Sequence, residues 1–195
     1  MHHFFTKPDI LSKLVLKKNR TEQGARRCRK RGGEKRMADM LVKLYHLNWD
    51  AGFISEQAQQ GVCIRKPVGP EKHVVIDWVR ANFSAGWASE VDVAISRVPG
   101  TCFMAVKADQ FIGFACYDAT ALGFFGPIGV HETFRGRRIG SALLRACMLD
   151  MKLKGYGYAI IGDTTAFAFY EKTVGAVEIA DSTPGIYGSR VKHNK

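Results

Sequence analysis

Between residues 62 and 192 the spacing of apolar positions changes period several times, and each change marks an element. Val62, Cys63, Ile64 and Arg65 read as a short strand closed by Pro67 and Pro70. Residues 71–83 carry apolar side chains at helical spacing, with Val74, Val75, Trp78 and Val79 toward a core. Residues 87–98 repeat that period through Val91, Ile95 and Val98 until Pro99-Gly100 stops it. Three strands follow: 101–107 and 111–118, joined tightly enough for a hairpin, and then 122–130. The strongest helical pattern covers 136–154, with Ile139, Ala142, Leu143, Ala146, Cys147 and Met148 on one side. A buried strand at 158–161, a short helix at 165–172 and a final pair of strands at 177–179 and 185–192 complete the order. Upstream, residues 41–47 are compatible with a strand and 48–60 with a turn and weak helix, but whether they join the main sheet stays open. This order predicts a mixed α/β domain, with a mostly antiparallel central sheet flanked by helices and no regular βαβ repetition.

One strand breaks the pattern of its neighbours. Residues 122–130 contain Gly123, Gly126, Pro127 and Gly129, residues that weaken a strand, so a distortion and a close approach by another backbone or a ligand are expected there. The strand runs into Arg135-Gly136-Arg137-Arg138-Ile139-Gly140-Ser141, a tight basic loop at the start of the long helix. Backbone N–H groups in a first helical turn lack intrahelical partners and sit at the positive end of the dipole, so they attract anions. Gly136 and Gly140 allow close approach, which makes the stretch a candidate pyrophosphate cradle. It is neither GxGxxG nor GxxxxGK[ST], so the common dinucleotide and triphosphate loops are not indicated.

Charge narrows the partners. The formal net charge is +11, yet residues 1–36 hold 12 of the 29 Lys and Arg and three of the 18 acids, leaving 17 against 15 in residues 37–195. The body is nearly neutral, so nucleic acid is an expected partner only through the basic extension 1–36, which reads as a solvated, flexible arm. Five cysteines, Cys28, Cys63, Cys102, Cys116 and Cys147, are scattered singly, which points to a reducing compartment and to no metal site. No run of about 18 apolar residues occurs and the start does not resemble a secretory signal, so a cytoplasmic protein without membrane insertion is expected. The domain plan is thus 1–36 as extension, 37–61 as an unassigned segment and 62–195 as the working domain, with a homodimer left open.

The motif residues resemble the GCN5-related N-acetyltransferase (GNAT) superfamily, whose central helix begins Arg/Gln-x-x-Gly-x-Gly/Ala. Here the stretch is Arg135-Gly136-Arg137-Arg138-Ile139-Gly140, with Arg138 at the first family glycine. A second match is Asp163-Thr164-Thr165-Ala166-Phe167-Ala168-Phe169-Tyr170-Glu171-Lys172, with Asp163 in the usual Asn slot and one extra residue before Gly175. The resemblance, over about 62–191, implies the acyl-CoA N-acyltransferase fold and acetyl-CoA as cosubstrate. It implies Arg135, Gly136, Arg137, Arg138, Ile139, Gly140 and Ser141 around the cofactor's phosphates. It also implies Ile128 and Val130 as main-chain contacts to the pantetheine arm, with 158–161 across a gap. Tyr170 would protonate the departing thiolate. Glu132, just after the strand, is the candidate base for a small-molecule or peptide amine acceptor, with His131 competing. Arg138 would fit if its backbone is helical, and its side chain could then reach the adenosine 3′-phosphate. The cysteines read as core rather than as acyl carriers.

Overall fold

The computed structural model describes residues 36–48 and 50–191, so the basic extension, Arg36 apart, lies outside the described residues. The chain starts with strand β1 (Ala38–Lys43), a 3-10 turn and helix α1 (Gly52–Gln59). Next come β2 (Val62–Arg65), α2 (Lys72–Asn82) and α3 (Ala85–Ser96). The hairpin β3 (Cys102–Lys107) and β4 (Gln110–Tyr117) leads into β5 (Phe124–Val130) and the long helix α4 (Ile139–Leu153). Strand β6 (Tyr158–Thr164), α5 (Phe167–Val174) and the two-residue β7 (Val177–Glu178) follow.

The seven strands form one sheet in the order β2-β3-β4-β5-β6-β1-β7. Every neighbouring pair is antiparallel except β5 with β6, which follows because α4 crosses over between them. β1 therefore settles what the apolar pattern left open: residues 38–43 are inserted between β6 and β7, with Met40 and Val42 fully buried.

Alternation along the strands separates two cores. Ala105, Ala115, Tyr117, Phe125 and Ile161 face α1 and α4 on one side. Met104, Phe114 and Cys116 face α2 and α3 on the other. The sheet is thus a wall with a helix layer on each face.

Four expectations change. The predicted strand at 185–192 is instead a 3-10 turn at Gly185–Tyr187, because Pro184 precedes it and Gly185 takes φ 56°, neither of which suits a ladder. Val74 is 51% exposed, since the face of α2 that meets the sheet is centred on Val75 and Val79. Val98 is 98% exposed because α3 stops at Ser96; Ala88, Val91 and Ala94 form its buried stripe. The α3 start also lies two residues earlier than its apolar period suggests, fixed by Ser84, whose hydroxyl accepts from the Trp87 backbone N–H at 3.1 Å.

Candidate active site

The distortion expected in β5 takes the form of a bulge. Ala115 faces Ile128 and Tyr117 faces Phe125, so three steps on β5 oppose two on β4. On its other edge β5 pairs with β6 only at Phe124↔Ile160 and Phe125↔Ile161, although β5 runs on to Val130 and β6 to Thr164. The strands splay beyond that point. This shifts one expectation: within 158–161 only Ile160 and Ile161 pair with β5, and the opening is bordered by Ile161 and residues 162–164.

The pairing pattern also fixes which backbone groups are available. His131 donates its N–H to the Ile112 carbonyl at 2.9 Å, so the alternate residues Ile128 and Val130 turn their N–H and C=O groups away from β4, toward the opening. The Val130 carbonyl accepts from Arg135 Nε at 3.2 Å, which leaves its N–H toward the gap. The glycines of β5 have separate causes. Gly126 takes φ 128°, whereas Gly129 lies under the Phe83 ring: a Cβ there would meet Phe83 Cζ at 2.5 Å. The close approach expected on β5 is made in part by an aromatic side chain.

A cavity of about 1470 Å³ occupies the splay. Its lining joins both faces of the sheet: Gly140 and Ser141 of α4 and Tyr170 of α5 on one side, Trp87 and Glu90 of α3 on the other. This volume exceeds the usual range for a small-ligand site, about 300–1,000 Å³.

At the basic end, α4 begins later than its apolar pattern indicates. Gly136 has φ 79° and Arg138 has φ 60°, ψ 8°, so the loop carries two left-handed residues on either side of Arg137, and Arg138 is the N-cap. The helical backbone expected for Arg138 is therefore corrected, and the family's preference for glycine at this slot has a physical basis in the positive φ. The first intrahelical bond runs from Ala142 N–H to the Arg138 carbonyl at 3.0 Å, which leaves the N–H groups of Ile139, Gly140 and Ser141 ahead of it without helical acceptors. Arg135, Gly136, Arg138, Ile139, Gly140 and Ser141 all line the cavity.

Arg137 does not; its guanidinium lies 5.5 Å over the Phe134 ring, and its carbonyl accepts from Gln57 Nε2 at 3.4 Å. Arg137 thus makes its contacts with Phe134 and Gln57, outside the cavity lining. Gln57, 1% exposed on α1, is a support that apolar periodicity treated only as part of a weak helix.

Tyr170 is 6% exposed and lines the cavity. Burial pushes its phenol up to about 12, with a smaller opposing pull from a hydrogen bond to the Thr164 side chain. It stays protonated through the neutral range, as a proton donor must. The segment around it is shaped by β1: Asp39, 7% exposed, accepts the Asp163 N–H at 2.7 Å and holds that residue at φ 46°. Asp and Asn tolerate this conformation better than most residues, which suits either at the slot. Asp39 was invisible as a site support because its partner lies 124 residues away.

Glu132 falls elsewhere. It is exposed on the 3-10 turn Glu132–Phe134, outside the lining of the cavity. His131 caps that turn, its Nδ1 2.9 Å from Thr133 Oγ1, and is also absent from the lining. Cys102, Cys116 and Cys147 are buried, and burial drives the Cys116 and Cys147 thiols well above their ordinary range, which removes the thiolate an acyl carrier needs. Among the described residues no group of three His, Cys, Asp or Glu is placed to hold a metal, and no helix is long and apolar enough to cross a membrane.

Comparisons with known proteins agree with this architecture. A search of curated proteins gives no match. Among solved structures, the GCN5-related glucosamine N-acetyltransferase region of a fungal multi-domain GH3 β-N-acetylglucosaminidase superposes with a TM-score of 0.60 at 14% identity, over 73% of this chain and 20% of that one. A GCN5-related N-acetyltransferase from Sphaerobacter thermophilus gives 0.53 at 19% identity, over 73% and 48%. A Drosophila protein gives 0.52 at 12% identity, over 73% and 47%. The alignments cover less than half of each of those chains, and at such identities the likeness is one of fold. The sequence profile of the Acetyltransferase (GNAT) family matches residues 72–176, from the start of α2 to the turn after α5, and this is more than half of the chain. That stretch includes the splayed strands, the α4 loop and Tyr170, and the protein belongs to the GNAT acetyltransferase family.

Proposed function

We propose that the protein transfers the acetyl group of acetyl-CoA to an amine by direct attack within a ternary complex. The observation that carries this reading is the single cavity through the β5–β6 splay, reaching the α4 N-terminus on one face of the sheet and α3 on the other. Two substrates entering from opposite faces would meet in the opening.

The residues present fit the cosubstrate. The unpaired N–H groups of the first α4 turn, with Arg135 and Arg138, offer charge-assisted donors to a pyrophosphate and a ribose phosphate. The exposed main-chain groups of Ile128 and Val130 offer a strand edge to the amide-bearing pantetheine arm. When bound, acetyl-CoA supplies an activated thioester carbonyl.

The chemistry then asks little of side chains. The acceptor ammonium loses one proton to solvent, its nitrogen attacks the carbonyl carbon, and a C–N bond forms as the C–S bond breaks. The Val130 N–H is the donor available to the developing oxyanion, and Tyr170 gives its proton to the departing sulfur, to be reprotonated by the second proton that nitrogen sheds. Net release is one proton per turnover. Most of the rate gain would come from juxtaposition.

The test is thioester consumption by the full chain and by a chain starting at Met37 against an amine panel, with products detected by mass, alongside calorimetric titration with coenzyme A. Acetylated product from any amine supports the reading. Tight coenzyme A binding without product from any amine would replace it with a sensor or assembly role. A further comparison of the two chains for salt-dependent nucleic-acid binding tests the basic extension 1–36, which is the expected source of any such binding.

A further inference from the structure

The lining of the cavity is electrically polar across the sheet. On the α4 face stand Arg135 and Arg138, suited to the anionic donor. On the opposite face α3 contributes Trp87 and Glu90, one helical turn apart and therefore side by side. Alternation assigns the faces independently: Phe125 and Ile161 pack in the α4-side core, so Phe124 and Gly162 look toward α3. Tyr187 lies against Gly162 there, its hydroxyl 2.8 Å from where a Cβ would stand.

The Glu90 carboxylate is oriented from the loop after β4. One carboxylate oxygen accepts from Thr120 Oγ1 at 2.5 Å, which orients the group, and Thr120 also meets the Tyr187 hydroxyl. Arg190, Asp163 and Tyr187 share the cavity, yet none of the ion pairs among the described residues involves Glu90. A carboxylate that borders a partly enclosed cavity and forms none of these ion pairs is suited to receive a cation. Trp87 beside it supplies an aromatic wall of the kind that accompanies ammonium recognition.

We infer that Glu90 is the acceptor-recognition residue, and that the acceptor is a positively charged alkylamine whose ammonium group is captured on the α3 face, across the sheet from the donor's phosphates. The inference rests on the acyl-transfer reading and deepens it. Neutral arylamines and hydroxylated acceptors would lack the counter-charge and gain nothing from Glu90.

The experiment uses the full chain with 1,4-diaminobutane as the cationic probe and p-anisidine, uncharged at neutral pH, as the neutral one. Glu90→Gln keeps the Thr120 hydrogen bond and the side-chain volume. It should raise KM for diaminobutane about tenfold or more, the range for losing a hydrogen bond to a charged group. KM for p-anisidine and the affinity for coenzyme A should not change. Equal effects on both amines, or no effect on diaminobutane, overturn the inference. Calorimetry of coenzyme-A-loaded protein with diaminobutane separates the two levels. Coenzyme A binding with no diaminobutane binding or turnover removes the cationic subsite and leaves the donor site standing; no coenzyme A binding removes the acyl-transfer reading and the inference with it.

Discussion

Replacing Arg138 by glycine isolates a conflict built into the start of α4. Arg138 sits at φ 60°, ψ 8°, where a residue bearing a Cβ is strained by about 1–2 kcal/mol, while glycine adopts this conformation freely. Glycine also loses more unfolded-state freedom, a cost of about 0.5–1 kcal/mol. The difference leaves Arg138→Gly more stable by about 0.5–1 kcal/mol, a rise in Tm of about 1–4 °C for a chain of this length. Arg138→Ala removes the same guanidinium but keeps the strained backbone, so its Tm should not rise. Thermal melts of the three proteins, read by calorimetry or fluorescence, make the comparison. The ligand side runs the other way. The Arg138 side chain lines the cavity, and contact with the ribose 3′-phosphate would make both variants lose about tenfold or more in affinity for coenzyme A and nothing for dephospho-coenzyme A. Arg138→Gly melting at or below Arg138→Ala refutes the backbone argument. Equal losses for the two ligands refute the phosphate contact.

Four further outcomes follow from the same geometry. Tyr170→Phe should lower kcat by about 10²-fold or more with unchanged acetyl-CoA affinity, measured by steady-state kinetics and calorimetry; unchanged turnover removes Tyr170 as the acid. Because the folded phenol titrates near 12 against an unfolded value of 10.0, its protonated form stabilises the fold fully below pH 10, and this contribution, about 2–3 kcal/mol, declines as pH rises from 10 toward 12. Denaturant melts in that window should show a shallower alkaline loss in Tyr170→Phe. Gly129→Ala should destabilise by about 1–3 kcal/mol, since its Cβ would stand 2.5 Å from Phe83 Cζ, and Phe83→Leu in the same chain should recover part of the loss in denaturant melts; additive losses would contradict the clash. Gly136→Pro, imposing φ near −65° where the loop needs 79°, should abolish coenzyme A binding in calorimetric titration, and retained affinity defeats the cradle assignment.

Local chemistry and distant contacts divided this protein between them. The apolar periods located β2, the β3–β4 hairpin, α4 and β6, because a helix or strand with one buried face writes its period into neighbouring residues. The cluster Gly126-Pro127 marked the bulge, and Arg135 to Ser141 marked the anion-binding helix start, because strand weakening and unpaired N–H groups are properties of a few consecutive residues. What depends on residues far apart in the chain was not written there. Periodicity could not place β1 between β6 and β7, show that Asp39 holds Asp163, or reveal that Gly129 is a glycine because Phe83 lies on it. Nor could it tell that Arg137 and Glu132 lie outside the cavity lining while Glu90, on an ordinary amphipathic helix, is part of it. Side-chain direction at a loop is set by backbone dihedrals such as φ 60° at Arg138, and a helix face acquires a ligand only when the opposite strands splay. The sequence by itself determined the elements and the donor end of the site; only the packing of the two helix layers across an opened sheet decided what faces it from the other side.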